Sequence, residues 1–230
     1  MKIGSLFSGI GGLELGLEMA GVGHVVWQAE MDLDARRVLR AHWPRARLYS
    51  DVREVRSDVE AVDLVCGGFP CQDLSTANVT GRQRLDGARS GLWREYARIV
   101  GLVAPRWVVV ENVGGAWRDW VPYVRADLAR LGYASVPLAL STADVGAPHH
   151  RDRIFVLAHS DGEEQPLRAV HAALASLRAD AGRLGEGVRR ACDEALACDD
   201  ELPARLARLP GNAVSVAVSQ VIGRAIMAAS

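Results

Sequence analysis

The sequence predicts an α/β protein built on a doubly wound parallel sheet, and three observations carry that expectation. Short apolar runs alternate with helical patterns over the first 160 residues, as a parallel sheet with crossover helices requires. The run Trp-Val-Val-Val at 107–110 is continuously apolar and β-branched, the texture of a strand buried on both faces. A glycine-rich turn containing Gly9, Gly11 and Gly12 joins the first apolar run to the first helical pattern.

In chain order the strands are expected at 2–7, 24–30, 48–50, 64–67, 107–111 and 154–158, each an apolar run. Helical patterns fall between them at 12–21, 33–42, 92–103 and 121–131. Residues 1–158 form the main domain on this reading. Ligands of such sheets sit beyond the carboxyl ends of the strands, so the residues that follow each strand are the ones to inspect. From 159 to 208 the composition turns to Ala, Arg, Glu and Asp, with helical patterns near 167–178 and 188–197 and a break at 182–187, which reads as a small, mainly helical insert. The segment 209–230 opens with a Pro-Gly-Asn turn. It continues as an amphipathic pattern over 213–227, with Val214, Val218, Val221, Ile222 and Ile226 set to pack back onto the sheet.

At 230 residues the chain can bury one good core. With 49% hydrophobic and 24% charged residues it fits neither a disordered nor a fibrous class. No apolar run reaches the roughly 18 residues of a membrane span. Met1, Lys2 and Ile3 lead straight into the first strand with no signal-peptide pattern, so a cytoplasmic location is expected. The four cysteines, at 66, 71, 192 and 198, form neither a disulfide framework nor a Cys-x-x-Cys metal pair. A net charge of −1 gives no global field for nucleic acid, so any DNA footprint has to be local.

Four clusters carry chemistry. Phe7, Ser8, Gly9 and Gly11 stand where backbone amides at a helix N-terminus meet a ligand, and Glu30 and Asp51 end the next two strands. Gly67, Gly68, Phe69 and Pro70 fix a loop that presents Cys71 at the cleft, a position suited to a nucleophile if its surroundings favour the thiolate. Glu111 follows the strongest strand and faces the same edge. Strand alternation sends Arg151 and Arg153 to one face and Asp152 to the other, so that two guanidiniums converge on one acceptor. His149 and His150 have no third ligand beside them, and no metal is expected. A glycine turn followed by an acidic strand end also suits a dinucleotide-binding oxidoreductase, but the full Gly-x-Gly-x-x-Gly spacing is missing.

The ordered blocks at 6–12, 67–75, 91–95, 111–113, 148–155 and 211–214 resemble those of the DNA cytosine-C5 methyltransferase family, bacterial or phage type. Pro70-Cys71-Gln72 after Gly-Gly-Phe, with Glu111-Asn112-Val113 downstream, is the most specific part of the match. The resemblance implies a Rossmann-like S-adenosylmethionine-dependent methyltransferase fold. It also implies a catalytic set: Cys71 adding to carbon 6 of cytosine, Glu111 holding ring nitrogen 3 and the amino group, and Arg153 with Arg151 binding the carbonyl oxygen. The implied cofactor is S-adenosylmethionine, leaving as S-adenosylhomocysteine, held by Phe7, Ser8, Gly9, Gly11, Glu30, Met31, Asp51, Val52, Gly68, Pro70, Leu92 and the Asn212-Ala213-Val214 turn. Two departures stand out, Ser5 where many members carry an acid and His149 where glutamine is usual.

Double-stranded DNA is the implied substrate, with the target cytosine flipped out of the helix. Gln72, Ser75, Arg82, Arg84 and Arg89 are the expected DNA contacts, on a loop that closes over the base. The resemblance places target recognition in the short stretch 159–208, which makes a partner supplying recognition, or a cognate restriction endonuclease, a natural companion. An RNA cytosine methyltransferase acting on transfer RNA and a catalytically silent DNA-binding subunit are the competing expectations.

Overall fold

The computed structural model describes residues 1–70, 90–114, 117–145, 151–162, 165–179 and 215–229. The strands are β1 (Lys2–Leu6), β2 (His24–Ala29), β3 (Arg47–Tyr49), β4 (Leu64–Gly68), β5 (Trp107–Val113), β6 (Ala134–Ser141) and β7 (Asp152–His159). They form one sheet in the order β3-β2-β1-β4-β5-β7-β6. The helices are α1 (Gly12–Met19), α2 (Leu33–His42), α3 (Ser90–Val103), α4 (Trp117–Arg130), α5 (Gln165–Ala179) and, last in the chain, α6 (Val216–Ala229).

Five of the six expected strands sit in a parallel array, and the sixth does not. β7 runs antiparallel to both β5 and β6, and β6 was not among the expected strands. The reason lies in the connection. Only ten residues separate Ser141 from Asp152, and the described part of that link is a single short helical turn, Thr142–Val145. A parallel return needs a crossover of a dozen or more residues, whereas an antiparallel one does not. β6 escapes notice because Pro137 interrupts its ladder and its apolar pattern is weak; as an edge strand it tolerates the proline.

Sequence texture explains the core. Trp107 and Val109 face one side of β5 while Val108 and Val110 face the other, and all four are fully buried. α1, α5 and α6 cover the first side through Leu17, Val170 and Ile222; α3 and α4 cover the second through Tyr96, Ile99, Val124 and Leu128. Each such side chain contributes on the order of 1.5–3 kcal/mol. Helix α6 lies against α1 at close range, since a Cβ on Gly16 would fall 2.4 Å from that of Ser219. α5 falls in the stretch 159–208 yet packs into this same core. Among the described residues no helix is long and apolar enough to cross a membrane.

The strand order reverses direction at β1 and β4, where chain crossovers lead to opposite faces and part at the carboxyl ends. A cleft opens there.

Candidate active site

The cleft, about 70 Å³ in volume, is bordered by Ser5, Phe7, Ser8 and Gly9 from the end of β1, Glu14 from α1, Gly67 and Gly68 from β4, and Glu111 from β5. Its first wall is the turn between β1 and α1. Phe7 takes a left-handed conformation, φ 55°, which a bulky residue adopts only under constraint. Its ring stacks on Tyr96 at 6.5 Å. The Ser8 amide donates to the carbonyl of Ala29, and the Gly9 amide to Glu30 Oε2 at 2.7 Å. Glu30 Oε1 accepts from the Asp32 amide at 2.8 Å. The acid that ends β2 therefore ties the glycine turn to the start of α2, with acceptor capacity left on a carboxylate that offers about four lone pairs.

The second wall is the end of β4, held between β1 and β5. Gly67 pairs with Leu6 and Gly68 with Glu111. A Cβ on Gly68 would lie 2.3 Å from Glu111 Oε2, so a side chain there would displace the carboxylate. Beyond Gly68, Phe69 packs between Trp93 and Trp120 at centroid distances of 5.6 and 5.8 Å. Its carbonyl accepts from Asn112 Nδ2 at 3.0 Å, while Asn112 Oδ1 accepts from the amide of Val113. Buried Asn112 thus anchors the loop that leads to Pro70, the last described residue before Cys71. The sequence reading passed over this role.

Glu111 is 7% exposed, and Arg153 Nε lies 2.7 Å from its Oε1. The approach follows from register: Arg153 pairs with Val113, two residues beyond Glu111 on the neighbouring strand, within diagonal reach. Burial pushes the Glu111 carboxyl up to about 7, against the pull of the Arg153 and Arg151 charges. Arg151 is held below its ordinary value, by burial first and then by the Arg153 charge, against the opposing pull of Glu111. Arg153 thus contacts the acid directly, while Arg151 acts on it through its charge.

Glu14 was not expected at all. It is fully buried at the cleft, and burial raises its carboxyl above the ordinary range while Ser5, its own backbone amide, Gln28 and Ser8 pull the other way. Nothing in a helical Leu-Glu-Leu pattern sets this residue apart from a solvated acid.

Other expected residues lie farther out. Asp51 caps the short turn Val52–Glu54 and pairs with Arg53, Val52 is buried, and Leu92 is half-buried against the α3 side of the core. Met31 is 67% exposed and none of these four borders the cleft. Cys71, Gln72, Ser75, Arg82, Arg84 and Arg89, together with Asn212, Ala213, Val214, His149 and His150, lie outside the described residues. Among the described residues no group of three or more His, Cys, Asp or Glu is placed to hold a metal ion.

Comparison with known proteins adds a family. The model for C-5 cytosine-specific DNA methylases matches residues 1–182. The type II methyltransferase M2.BsuMI of Bacillus subtilis is 36% identical over 166 residues, covering 69% of this chain and 42% of its own length. The type II methyltransferase M1.HphI of Haemophilus parahaemolyticus is 34% identical over 171 residues, covering 69% of this chain and 46% of its own. This chain spans under half the length of these relatives. A solved structure described as a candidate DNA modification methyltransferase encoded within an E. coli prophage superposes with a TM-score of 0.56 at 27% identity, covering 69% of this chain and 46% of that one. Spodoptera frugiperda DNMT2, at 23% identity and a TM-score of 0.58 over 70% of this chain and 50% of that one, shares the fold.

Proposed function

Because this chain belongs to the C-5 cytosine-specific DNA methylase family, we propose that it transfers a methyl group from S-adenosylmethionine to carbon 5 of a flipped-out cytosine in duplex DNA. The observation that carries the reading is the buried Glu111–Arg153 pair, with Arg151 beside it, on the rim of a cleft at the strand-order reversal. The cofactor supplies an electrophilic methyl group on a sulfonium.

This chain's own residues do the rest. Cys71, which follows Pro70, adds to carbon 6 of the ring and makes carbon 5 nucleophilic; once carbon 5 bears the methyl group, loss of its proton and expulsion of the Cys71 thiolate from carbon 6 restore the ring. Glu111, with its carboxyl near 7, exists in both protonation states at neutral pH. Protonated, it donates to ring nitrogen 3; ionised, it accepts from the amino group. Arg153 and Arg151 hold the carbonyl oxygen at carbon 2, where charge develops as the thiolate attacks. On the cofactor side, Phe7 lies against the adenine, Glu30 takes the ribose hydroxyls, and Ser8, Gly9 and Gly11 line the amino-acid end. The residues fit such a ligand: the Gly9 position offers open space, with nothing within 4 Å of a Cβ built there, and the cleft keeps an under-satisfied buried carboxylate at Glu14.

Flipping the base costs a few kcal/mol, which contacts from Gln72, Ser75, Arg82, Arg84 and Arg89 offset. Recognition of the surrounding sequence falls to the stretch 159–208, alone or with a partner chain.

The test incubates the protein with S-adenosylmethionine and mixed-sequence duplex DNA, beside Cys71→Ala, and maps 5-methylcytosine base by base. Methylation at a short recurrent motif, lost in the variant while cofactor affinity is kept, is the expected result. Methylation of transfer RNA alone, or cofactor binding with no transfer to either nucleic acid, would overturn it.

A further inference from the structure

We propose that Glu14 is the counter-charge for the α-ammonium group of the cofactor's amino-acid end, an assignment that rests on the methyltransferase reading above. Two carboxylates border the cleft. Glu111 has its cation, Arg153, at 2.7 Å. Among the described residues Glu14 makes no ion pair, and none of their cations acts on its carboxyl.

Its hydrogen bonding is uneven: Ser5, Ser8, Gln28 Nε2 at a long 3.3 Å and its own backbone amide serve the carboxyl, yet Oε2 keeps no hydrogen-bond partner among the described residues. Ser5 and Ser8 stand beside it, but the Ser8 hydroxyl donates to that of Ser5 at 2.9 Å, which leaves the pair one O–H to offer. A carboxylate accepts about four hydrogen bonds, and an ionised one removed from water is tolerated only when paired. Position in the first turn of α1 accounts for an acid there through the helix dipole, by about 0.3–1 kcal/mol. It does not account for complete burial, since a solvated acid one position away would gain the same.

The surroundings select the ligand. Gly9 and Gly12, which share the cleft wall with Ser5 and Ser8, offer no cation of their own. A small, cationic, hydrogen-bond-donating group fills what Glu14 lacks: charge for the carboxylate and N–H donors for Oε2. An α-ammonium is such a group. With Ser5 in place of an acid at the end of β1, Glu14 is the carboxylate left on that side of the cleft.

The experiment is calorimetric titration of the wild type and Glu14→Gln with S-adenosylhomocysteine and with its desamino analogue. The analogue keeps the adenosine, thioether and carboxylate and lacks only the ammonium. In the wild type, loss of the ammonium is expected to weaken binding by at least about tenfold, the scale of one charge-assisted contact. In Glu14→Gln the two ligands are expected to bind alike, with the desamino analogue held as tightly as by the wild type, which also reports a folded site. A variant that still favours the ammonium ligand by the wild-type factor, or that loses both ligands equally, overturns the assignment. Wild-type protein that takes up neither ligand overturns the cofactor reading itself, and the assignment with it.

Discussion

The raised carboxyl of Glu111 makes stability depend on pH in a direction that can be measured. Burial lifts it from an ordinary 4.5 to about 7. Between those values the folded state binds a proton that the unfolded chain has released, so the contribution is fully present below about 4.5 and is lost as pH rises through about 7. At about 1.4 kcal/mol per tenfold change in proton affinity, the whole loss is about 3 kcal/mol. The perturbation is Glu111→Gln, which keeps the shape of the neutral acid and cannot titrate. Urea unfolding of both proteins at pH 5, 6, 7 and 8 gives the difference between their stabilities, in which Glu14, His159 and every other shared titrating group cancel. That difference is expected to fall by about 2.5 kcal/mol, to the wild type's disadvantage, between pH 5 and pH 8, since part of the whole loss already lies below pH 5. A level difference would refute the burial argument. A carboxyl held low by the Arg153 charge, 2.7 Å away, would titrate below this range and would likewise leave the difference level.

Two further substitutions probe the walls of the cleft. Gly68→Ala places a methyl 2.3 Å from Glu111 Oε2 and forces the carboxylate off Arg153. Methyl transfer is expected to drop about a hundredfold through misplacement, with about 1–3 kcal/mol of stability lost, read by a methylation assay and urea unfolding. Asn112→Ala strips the Phe69 carbonyl of its donor and is expected to cost about 1–3 kcal/mol in urea unfolding, with transfer reduced as the loop before Cys71 loses its anchor. Unchanged stability would remove Asn112 from that role.

What the sequence disclosed depended on which physical signal each element carries. β5 announced itself because both its faces are buried, leaving no polar position to blur the run. α4 begins at Trp117, four residues ahead of its expected start, because Pro122 reads as a helix opener and here sits inside the helix. The site residues that stood out, Glu30, Glu111 and the Arg151–Arg153 pair, are polar groups at strand ends, where a polar residue interrupts an apolar pattern. Glu14 and Asn112 carry no such contrast. Glu14 acquires its chemistry from Ser5, Ser8 and Gln28 on and beside the sheet that buries it, and Asn112 from a carbonyl 43 residues earlier in the chain. Neither long-range fact is written in local spacing.

The orientation of β7 ties the missed topology to the pairing of Arg153 with Glu111. In a wholly parallel sheet the residues that open the last strand would lie beside Trp107, at the amino end of β5. That end is about 13 Å from Glu111, at roughly 3.3 Å per residue. No arginine opening a parallel β7 could reach the acid that closes β5. The antiparallel pairing sets Val113 opposite Arg153 and Trp107 opposite His159, and so brings the start of one strand to the end of the other. The expectation that Glu111, Arg151 and Arg153 all serve one bound base therefore contained a topological demand that the expected parallel sheet could not meet. An arginine pair leading into a strand and an acid near the end of another, assigned to the same site, require those strands to run in opposite directions when they are neighbours.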